Sequence, residues 1–270
     1  MKDILTAPFI VEICRTCENM YRLGWDERNS GNISLLLDEC EVQNYLDTSA
    51  VLRKFPLGFD ASSLSGRYFL ATATGQYFKN TSLFPAGDLG IFRVSKDGQS
   101  GELLWGLEGS GAFTSELPTH LLSHKTRLEK DPLHRVIMHC HPTHLQAMTF
   151  VHPLSDKAFS HSLWQMCTES IAVFPEGVGV LPWMVCGTEE IGRASAEKMR
   201  EFRLVIWSMH GVYGAGRSLD DAFGLIETVE KSAQIYMLTS HLPRVNTITD
   251  DNLRAMAEYW GKNYRKDFLD

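Results

Sequence analysis

Three histidines stand where short apolar runs end, and their spacing is typical of metal ligands. His139 and His141 follow the run Val136-Ile-Met, which predicts a buried strand, and they are two residues apart. Strand alternation turns both imidazoles to one face. His210 follows a second such run, Leu204-Val-Ile-Trp. If the two strands are neighbours, the three histidines form the ligand set of a catalytic Zn²⁺, which keeps positions open for water or substrate.

Other histidines and an acidic residue nearby have more ordinary interpretations. His120 and His124 are four apart in an expected helix and share one of its faces, as half of a zinc site would. The helix lacks the glutamate of the H-E-x-x-H motif, so we do not assign them to a metal. His144 is expected one turn into the helix after Pro142, as a capping residue or a partner of the ligands. Glu116 lies at a helix start, where the macrodipole alone favours a carboxylate.

The elements that position these residues alternate along the chain without a regular βαβ spacing. Turn chemistry at Lys96-Asp-Gly98 joins two early strands as a hairpin. We therefore expect an α/β fold with three layers, α/β/α, around a mostly antiparallel or mixed sheet. Apolar periodicity predicts helices over 8–24, 115–129, 142–150, 188–202 and 219–240, and strands over 66–80, 90–105, 134–139, 171–174 and 204–208.

Composition limits the class of protein. The 270 residues are 44% hydrophobic and 22% charged, as in globular proteins with one core, and the lack of a linker favours a single domain over 1–270. A net charge of −7 without a basic stripe argues against nucleic acid as a partner. The chain shows neither an apolar run of membrane-spanning length nor a signal-peptide core. We expect a cytoplasmic protein that acts on a small molecule.

Two further motifs are weak indicators of function. Gly211-Val-Tyr-Gly214-Ala-Gly216 does not match the dinucleotide fingerprint G-x-G-x-x-G, and the chain has no P-loop. Cys14 and Cys17 have C-x-x-C spacing, but they fall in an amphipathic helix without a second pair. Neither motif predicts a nucleotide, redox or zinc site.

Several segments, in order over most of the chain, resemble the class II (zinc) aldolase/adducin family. This resemblance is more specific than any single motif above. The segments are Gly24-Trp-Asp-Glu-Arg-Asn29-Ser-Gly31-Asn32, Thr114-Ser-Glu116-Leu-Pro-Thr-His, Arg135-Val-Ile-Met-His139-Cys-His141, Phe174-Pro-Glu-Gly-Val-Gly-Val-Leu-Pro-Trp-Met and His210-Gly-Val-Tyr-Gly-Ala-Gly.

The resemblance implies a role for each matching residue. It implies one Zn²⁺ per subunit on His139, His141 and His210, with Glu116 as the catalytic acid or base. Glu169 would be a second carboxylate near the aldehyde half of the substrate. The resemblance also implies a homotetramer about a four-fold axis, with the site near a subunit interface. The implied phosphate pocket consists of Asn29, Gly31, Asn32, Thr74, Gly75, Thr114 and Ser115.

The activity implied by the resemblance is zinc-dependent cleavage of a ketose phosphate. The extended matches at 25–32 and 174–184 favour L-rhamnulose 1-phosphate, split into dihydroxyacetone phosphate and L-lactaldehyde. Fuculose 1-phosphate cleavage and ribulose 5-phosphate 4-epimerisation remain alternatives within the same fold. From another class, an adducin-like interaction domain without catalysis also remains, although the retained histidines and Glu116 argue against it.

Overall fold

One mixed β-sheet of nine strands forms the centre of the described protein. The computed structural model describes residues 1–108 and 111–269. The strand order is β2-β5-β4-β3-β1-β6-β9-β8-β7, and every pair is antiparallel except β7 with β8. The strands are β1 Asn32–Leu37, β2 Arg53–Pro56, β3 Tyr68–Thr72, β4 Leu89–Val94, β5 Ser100–Gly106, β6 Val136–Cys140, β7 Gly179–Leu181, β8 Leu204–Trp207 and β9 Gly211–Gly216.

Helices cover both faces of this sheet. They are α1 Pro8–Arg22, α2 Glu39–Gln43, α3 Pro85–Asp88, α4 Leu117–Lys130, α5 Thr143–Val151, α6 Asp156–Trp164, α7 Ser170–Val173, α8 Glu189–Lys198, α9 Leu219–Thr239 and α10 Asp250–Tyr259. None of the helices in the described ranges has the length and apolar character needed to cross a membrane.

Strand alternation sorts the core into two sides. On one side, Ile33 and Met138 pack in a cluster with residues of α1, α5, α6 and α9. On the other side, Leu36 packs with residues of α4, and Ile137 packs with residues of α8. The three-layer α/β/α prediction with a largely antiparallel sheet is therefore confirmed.

The predicted strand over 171–174 is wrong, because the structure has the short helix α7 there. Ile171 is fully buried and Ala172 nearly so. Periodicity cannot distinguish a short apolar run in a buried helix from a buried strand, since neither shows a polar face. The elements α2, α3, α6, α10, β2, β7 and β9 were also not predicted from the sequence.

The strands that matter most for the site are β1, β6 and β9, which lie side by side. In this register Asn32 is opposite His139, and His139 is opposite Tyr213. Side chains opposite one another in a sheet point to the same face. The sheet thus places the side chains of Asn32, His139 and Tyr213 in one row beneath the start of α4.

Candidate active site

The structure brings the three candidate metal ligands together at one end of the sheet. His139 is near the end of β6, His141 follows that strand, and His210 lies in the turn between β8 and β9. One ring nitrogen from each lies within 4.8 Å of the others. The Nε2 atoms of His139 and His141 are 3.3 Å apart. Such convergence of nitrogens suits a single metal ion.

Hydrogen bonds on the far side of two rings fix their orientation. His139 Nδ1 donates to the Val212 carbonyl at 2.9 Å, and His141 Nδ1 lies 2.7 Å from Glu27 Oε1. A proton held on Nδ1 leaves the Nε2 lone pair free for a metal, which is the usual arrangement around metal-bound histidine. The described residues therefore fit Zn²⁺ in ligand type and in tautomer.

Burial keeps His139 and His210 in the neutral form that can bind a metal. It lowers the pKa of His139 to about 3, and it also lowers the pKa of His210. A protonated imidazole has no lone pair for a metal, so neutral rings are required. A set of neutral ligands leaves the full positive charge of the ion available to an anionic substrate.

The turn between β8 and β9 brings His210 close to the other two histidines. Met209 has a φ of 60°, a value that few residues other than glycine adopt. A Cβ at the position after His210, Gly211, would lie 2.5 Å from the Cys140 carbonyl oxygen and 2.6 Å from His141 Cδ2. Only glycine allows the two chain segments to approach this closely.

Glu116 lies beside this metal-ligand set and is almost completely buried. Its Oε2 atom is 3.8 Å from His139 Nε2. The same oxygen accepts hydrogen bonds from Asn32 Nδ2 at 2.8 Å and from the Tyr213 hydroxyl at 2.6 Å. In the part of the chain that the structure describes, no hydrogen bond reaches Oε1.

The surroundings keep Glu116 ionised. Burial alone raises the pKa of its carboxyl group, but the nearby His139 and the hydrogen bonds from Tyr213 and Asn32 lower that pKa to about 2. Hydrogen bonds donated to a carboxylate favour its charged form. At neutral pH, Glu116 is therefore a carboxylate that can accept a proton.

Two residues of the site, Tyr213 and Glu27, were not predicted from the sequence. Tyr213 lies two residues beyond Gly211 in a glycine-rich run, and only the pairing of β9 with β6 reveals that it faces His139. The Tyr213 and His139 rings stack with centroids 4.6 Å apart. Glu27 is on an exposed loop far from His141 in sequence. Both residues lie in segments that carry the family resemblance, but no local pattern assigns either of them a role.

The residues implied for phosphate binding come from three neighbouring segments. Ala73 forms a bridge with Phe113, and Ile33 N donates to Thr72 Oγ1, so the segments that begin at 29, 72 and 112 meet. In this set, Thr74, Gly75 and Ser115 are exposed, Asn29 is half-buried, and Gly31, Asn32 and Thr114 are buried.

Several members of this set, Gly31 and Asn32 among them, are already bound to protein groups. The Gly31 backbone N–H donates to Asp26 Oδ1 at 2.7 Å. The Asn32 amide bonds to Glu116 at Nδ2 and to His120 at Oδ1. In this structure, Asn32 thus contacts the catalytic carboxylate candidate through its side chain.

Glu169 lies apart from the histidine cluster within one chain. It is exposed immediately before α7 and lines a cavity of about 560 Å³ whose lining includes none of the three clustered histidines. The Cys167 thiol donates to its Oε2 at 3.2 Å.

The remaining candidates have structural partners. His120 and His124 are buried and both bond to Ser34. His144 is near the start of α5, where its ring and backbone N–H bond to Glu230 Oε1. The Cys14 and Cys17 thiols are free and buried, and burial raises the pKa of both.

The fold and the cluster of three histidines with Glu116 define a class of protein. Comparison with known sequences identifies that class. The model of the class II aldolase and adducin N-terminal domain matches residues 11–237. The chain belongs to the class II aldolase and adducin family.

Several individual members of the family are similar to this chain over most of its length. The chain is 53% identical over 269 residues to the rhamnulose-1-phosphate aldolase of Listeria innocua serovar 6a, covering 99% of this chain and 98% of that protein. It is 52% identical over 269 residues to the enzyme of that name from Enterococcus faecalis, covering 99% and 96%. Among solved structures, a sugar-phosphate aldolase from Thermotoga maritima has a TM-score of 0.73 at 28% identity, covering 88% of this chain and 97% of that one.

Proposed function

We propose that this protein is a zinc-dependent aldolase that cleaves L-rhamnulose 1-phosphate to dihydroxyacetone phosphate and L-lactaldehyde. The observation that carries the proposal is the convergence of three histidine nitrogens beside an ionised, buried carboxylate. Relatives that carry this name and match nearly the whole chain support the choice of substrate. The enzyme is proposed to work in the cytoplasm as one domain over 1–270.

His139, His141 and His210 would hold the zinc ion through ring nitrogens. When bound, zinc supplies a Lewis acid that stabilises the negative charge left on the ketone half when the carbon–carbon bond breaks. Three histidine ligands would leave coordination positions open, as in catalytic zinc sites generally. The Val212 carbonyl and Glu27 would hold two of the rings in the binding tautomer.

Glu116 would move the proton at the carbon of dihydroxyacetone phosphate that takes part in the bond. In the synthetic direction its ionised carboxylate accepts that proton, and in cleavage it returns the proton to the same carbon. Asn32 and Tyr213 both bind Oε2. Oε1 is therefore the oxygen available to the substrate.

The phosphate would bind where the three segments around residues 29, 74 and 114 meet. We propose Asn29, Thr74, Gly75, Thr114 and Ser115 as its binding residues, together with the segment that contains Gly31 and Asn32. Hydroxyl and backbone N–H groups bind a dianion without a net positive surface. The fixed phosphate would then hold the scissile bond in register with Glu116.

Glu169 would accept or donate the hydroxyl proton of the departing aldehyde. Within one chain it faces a separate cavity. We therefore propose that the protein is a homotetramer and that Glu169 reaches the site of a neighbouring chain.

The test is a product assay combined with metal analysis. Purified protein is incubated with L-rhamnulose 1-phosphate, L-fuculose 1-phosphate and L-ribulose 5-phosphate, and its zinc content is measured. We expect one zinc per chain, preferred cleavage of the rhamnulose phosphate, loss of activity on chelation and recovery with zinc. Full activity in metal-free protein, or a lysine adduct trapped by borohydride, would contradict the proposal.

A further inference from the structure

A continuous row of buried hydrogen bonds runs inward from the catalytic carboxylate candidate. Asn32 Nδ2 donates to Glu116 Oε2, His120 Nε2 bonds to Asn32 Oδ1, and Ser34 Oγ lies 2.7 Å from His120 Nδ1. We call the whole row the polar chain, and its members in order are Glu116, Asn32, His120, Ser34, His124 and His134.

The second half of the polar chain leads to the opposite end of the sheet. Ser34 Oγ is 2.8 Å from His124 Nε2, and His124 Nδ1 is 2.9 Å from His134 Nε2. His134 lines a cavity that also contains Arg127 and Lys130. The polar chain therefore connects the candidate active site to a cavity far from the histidine cluster.

Matching repeats of helix α4 and strand β1 make the polar chain possible. Four residues of a helix rise about 6 Å. Two residues of a strand rise about 6.7 Å. His120 and His124 on α4 are thus spaced like Asn32 and Ser34 on β1, and each pair faces the other across the layer.

The orientation of the Asn32 amide sets one direction for every bond in the polar chain. Asn32 donates through Nδ2 to Glu116 Oε2, and its oxygen, which can only accept, faces His120. His120 must then carry its proton on Nε2, and its bare Nδ1 accepts from the Ser34 hydroxyl. The single hydroxyl proton is used there, so the Ser34 oxygen must accept from His124 Nε2.

The same logic continues to the end of the polar chain. His124 carries its proton on Nε2 and accepts at Nδ1 from His134 Nε2. This pattern requires neutral rings. Burial lowers the pKa of His120 to about 4, that of His134 to about 3, and that of His124 well below its ordinary value.

We propose that Ser34, His124 and His134 are positioning residues that act through His120 to hold the Asn32 amide in the orientation that orders Glu116. This inference rests on the proposed aldolase function. If the polar chain reversed, Asn32 would turn its oxygen toward the carboxylate, and Glu116 would lose a donor and face a repulsive dipole. Glu116 would then be poorly placed for proton transfer at the substrate carbon.

The polar chain is less suited to proton relay or to structural support alone. A relay would have to pass through the Asn32 amide, which does not readily take up or release a proton. Structural support does not need polar groups, since replacing both partners of a hydrogen bond by apolar groups of the same shape can leave stability nearly unchanged. The polar chain ends on the carboxylate candidate, as a positioning role requires.

Kinetics of variants in the zinc-loaded protein test the proposal. Ser34→Ala should lower kcat roughly tenfold, the effect of about one lost hydrogen bond. KM for the sugar phosphate and the zinc content should stay unchanged. Exchange of the carbon-bound proton of dihydroxyacetone phosphate with solvent should fall by the same factor, because that step also uses Glu116. Ser34→Thr, which keeps the hydroxyl, should restore much of the rate.

A matched control is Ser123→Ala. Ser123 is buried on the same helix as His120, and its hydroxyl has no partner among the described residues. The control should leave kcat unchanged.

A second pair of variants covers the case in which Ser34→Ala does not fold. His134→Gln keeps an N–H donor for His124, whereas His134→Leu does not. Equal kcat in this pair, or an unchanged kcat in Ser34→Ala, would overturn the proposal.

Nitrogen-15 NMR spectra of the holoenzyme report which ring nitrogen of each histidine in the polar chain carries the proton, independently of activity. We expect His120, His124 and His134 to be neutral with the proton on Nε2 in each ring, and this pattern to be lost for His120 in Ser34→Ala. Protons on Nδ1 would overturn the inferred direction. If the spectra agree but no ketose phosphate is cleaved by the native protein, the proposed function fails while the ordering of Glu116 by the polar chain stands.

Discussion

At the level of single residues, the environment of Glu116 combines two opposing effects. Burial disfavours its charge, whereas two donors on Oε2 and the nearby His139 favour it, and the pKa falls to about 2. The result is a carboxylate that is charged yet mostly withdrawn from water. Such a group is suited to accept a proton from carbon without being solvated by bulk water.

Glu116→Gln should separate chemistry from binding. The amide keeps the shape of the side chain but cannot accept the proton, so we expect kcat to fall roughly 10²–10⁴-fold. Zinc content and KM should change little. Glu190→Gln, an exposed substitution, is the control. A variant rate close to that of the native protein would assign the proton transfer to another group.

Asn29→Ala tests the proposed phosphate pocket at one side chain. A lost donor to a charged oxygen costs about 1.5–3 kcal/mol, or roughly 10–150-fold in affinity. We expect this loss for L-rhamnulose 1-phosphate and little loss for free L-rhamnulose. Asn263→Ala, at an exposed position, should affect neither. Equal losses for both sugars would point to a structural role for Asn29.

At the level of secondary-structure elements, pairing between β6 and β9 and the turn before β9 bring the three candidate metal ligands together. In this turn the backbone of Met209 has a left-handed conformation, with a φ of 60°. The turn ends at Gly211, which leaves no space for a Cβ beside His141. Strain of this kind is frequent where a fold brings functional side chains together. The position of His210 therefore depends on the backbone of this turn.

Gly211→Ala should weaken the metal site through this backbone. The added Cβ would meet the Cys140 carbonyl oxygen at 2.5 Å and His141 Cδ2 at 2.6 Å, so the ring must shift. Overpacking of about 1–3 kcal/mol corresponds to roughly 5–150-fold weaker zinc binding, measured by competition with a chelator. Gly224→Ala is the control, since a Cβ there meets nothing within 4 Å. Unchanged zinc affinity in Gly211→Ala would show that the turn has room to adjust.

In the molecule as a whole, one described chain holds the three clustered histidines and Glu116 but not Glu169 at the same site. If Glu169 handles only the aldehyde hydroxyl, Glu169→Ala should slow cleavage of the sugar phosphate and leave proton exchange of dihydroxyacetone phosphate almost unchanged. Glu227→Ala, in the same cavity, is the control. Equal loss in both reactions would mean that Glu169 supports the zinc site as a whole. Sedimentation of the native protein should show the proposed homotetramer.

Buried histidines should make the fold sensitive to acid. The pKa of His134 in the folded chain is about 3, below the ordinary value of 6.5. As pH falls from 6.5 toward 3, the unfolded chain takes up a proton at His134 that the folded chain does not. Stability is therefore lost in this window, by about 1.4 kcal/mol per pH unit once pH is well below 6.5.

His134→Gln isolates this contribution. The free energy of unfolding of the native protein minus that of the variant, from urea titrations between pH 6.5 and 4.5, should decrease steadily as pH falls. The exposed His241→Gln substitution is the control. A difference for His134→Gln that stays constant with pH would contradict a depressed pKa at this position.

Local patterns along the chain were enough to single out the three histidines as candidate metal ligands and to predict many of the helices and strands. His139 and His141 two apart after an apolar run, and His210 after another, already indicate a three-histidine metal site, because strand periodicity is local. The layered α/β architecture follows from the alternation of strong helix and strand patterns. These properties depend on residues that are neighbours in sequence.

Which distant groups meet depends instead on tertiary packing. Tyr213 reaches Glu116 because β9 pairs with β6, the Asn32 amide contacts Glu116 rather than standing free, and His120 and His124 face Ser34 because α4 packs over β1. Residues 171–174 are a helix because packing, not periodicity, fixes a short apolar run. Strand register and layer packing are set by contacts between segments far apart in sequence, and no local pattern encodes them.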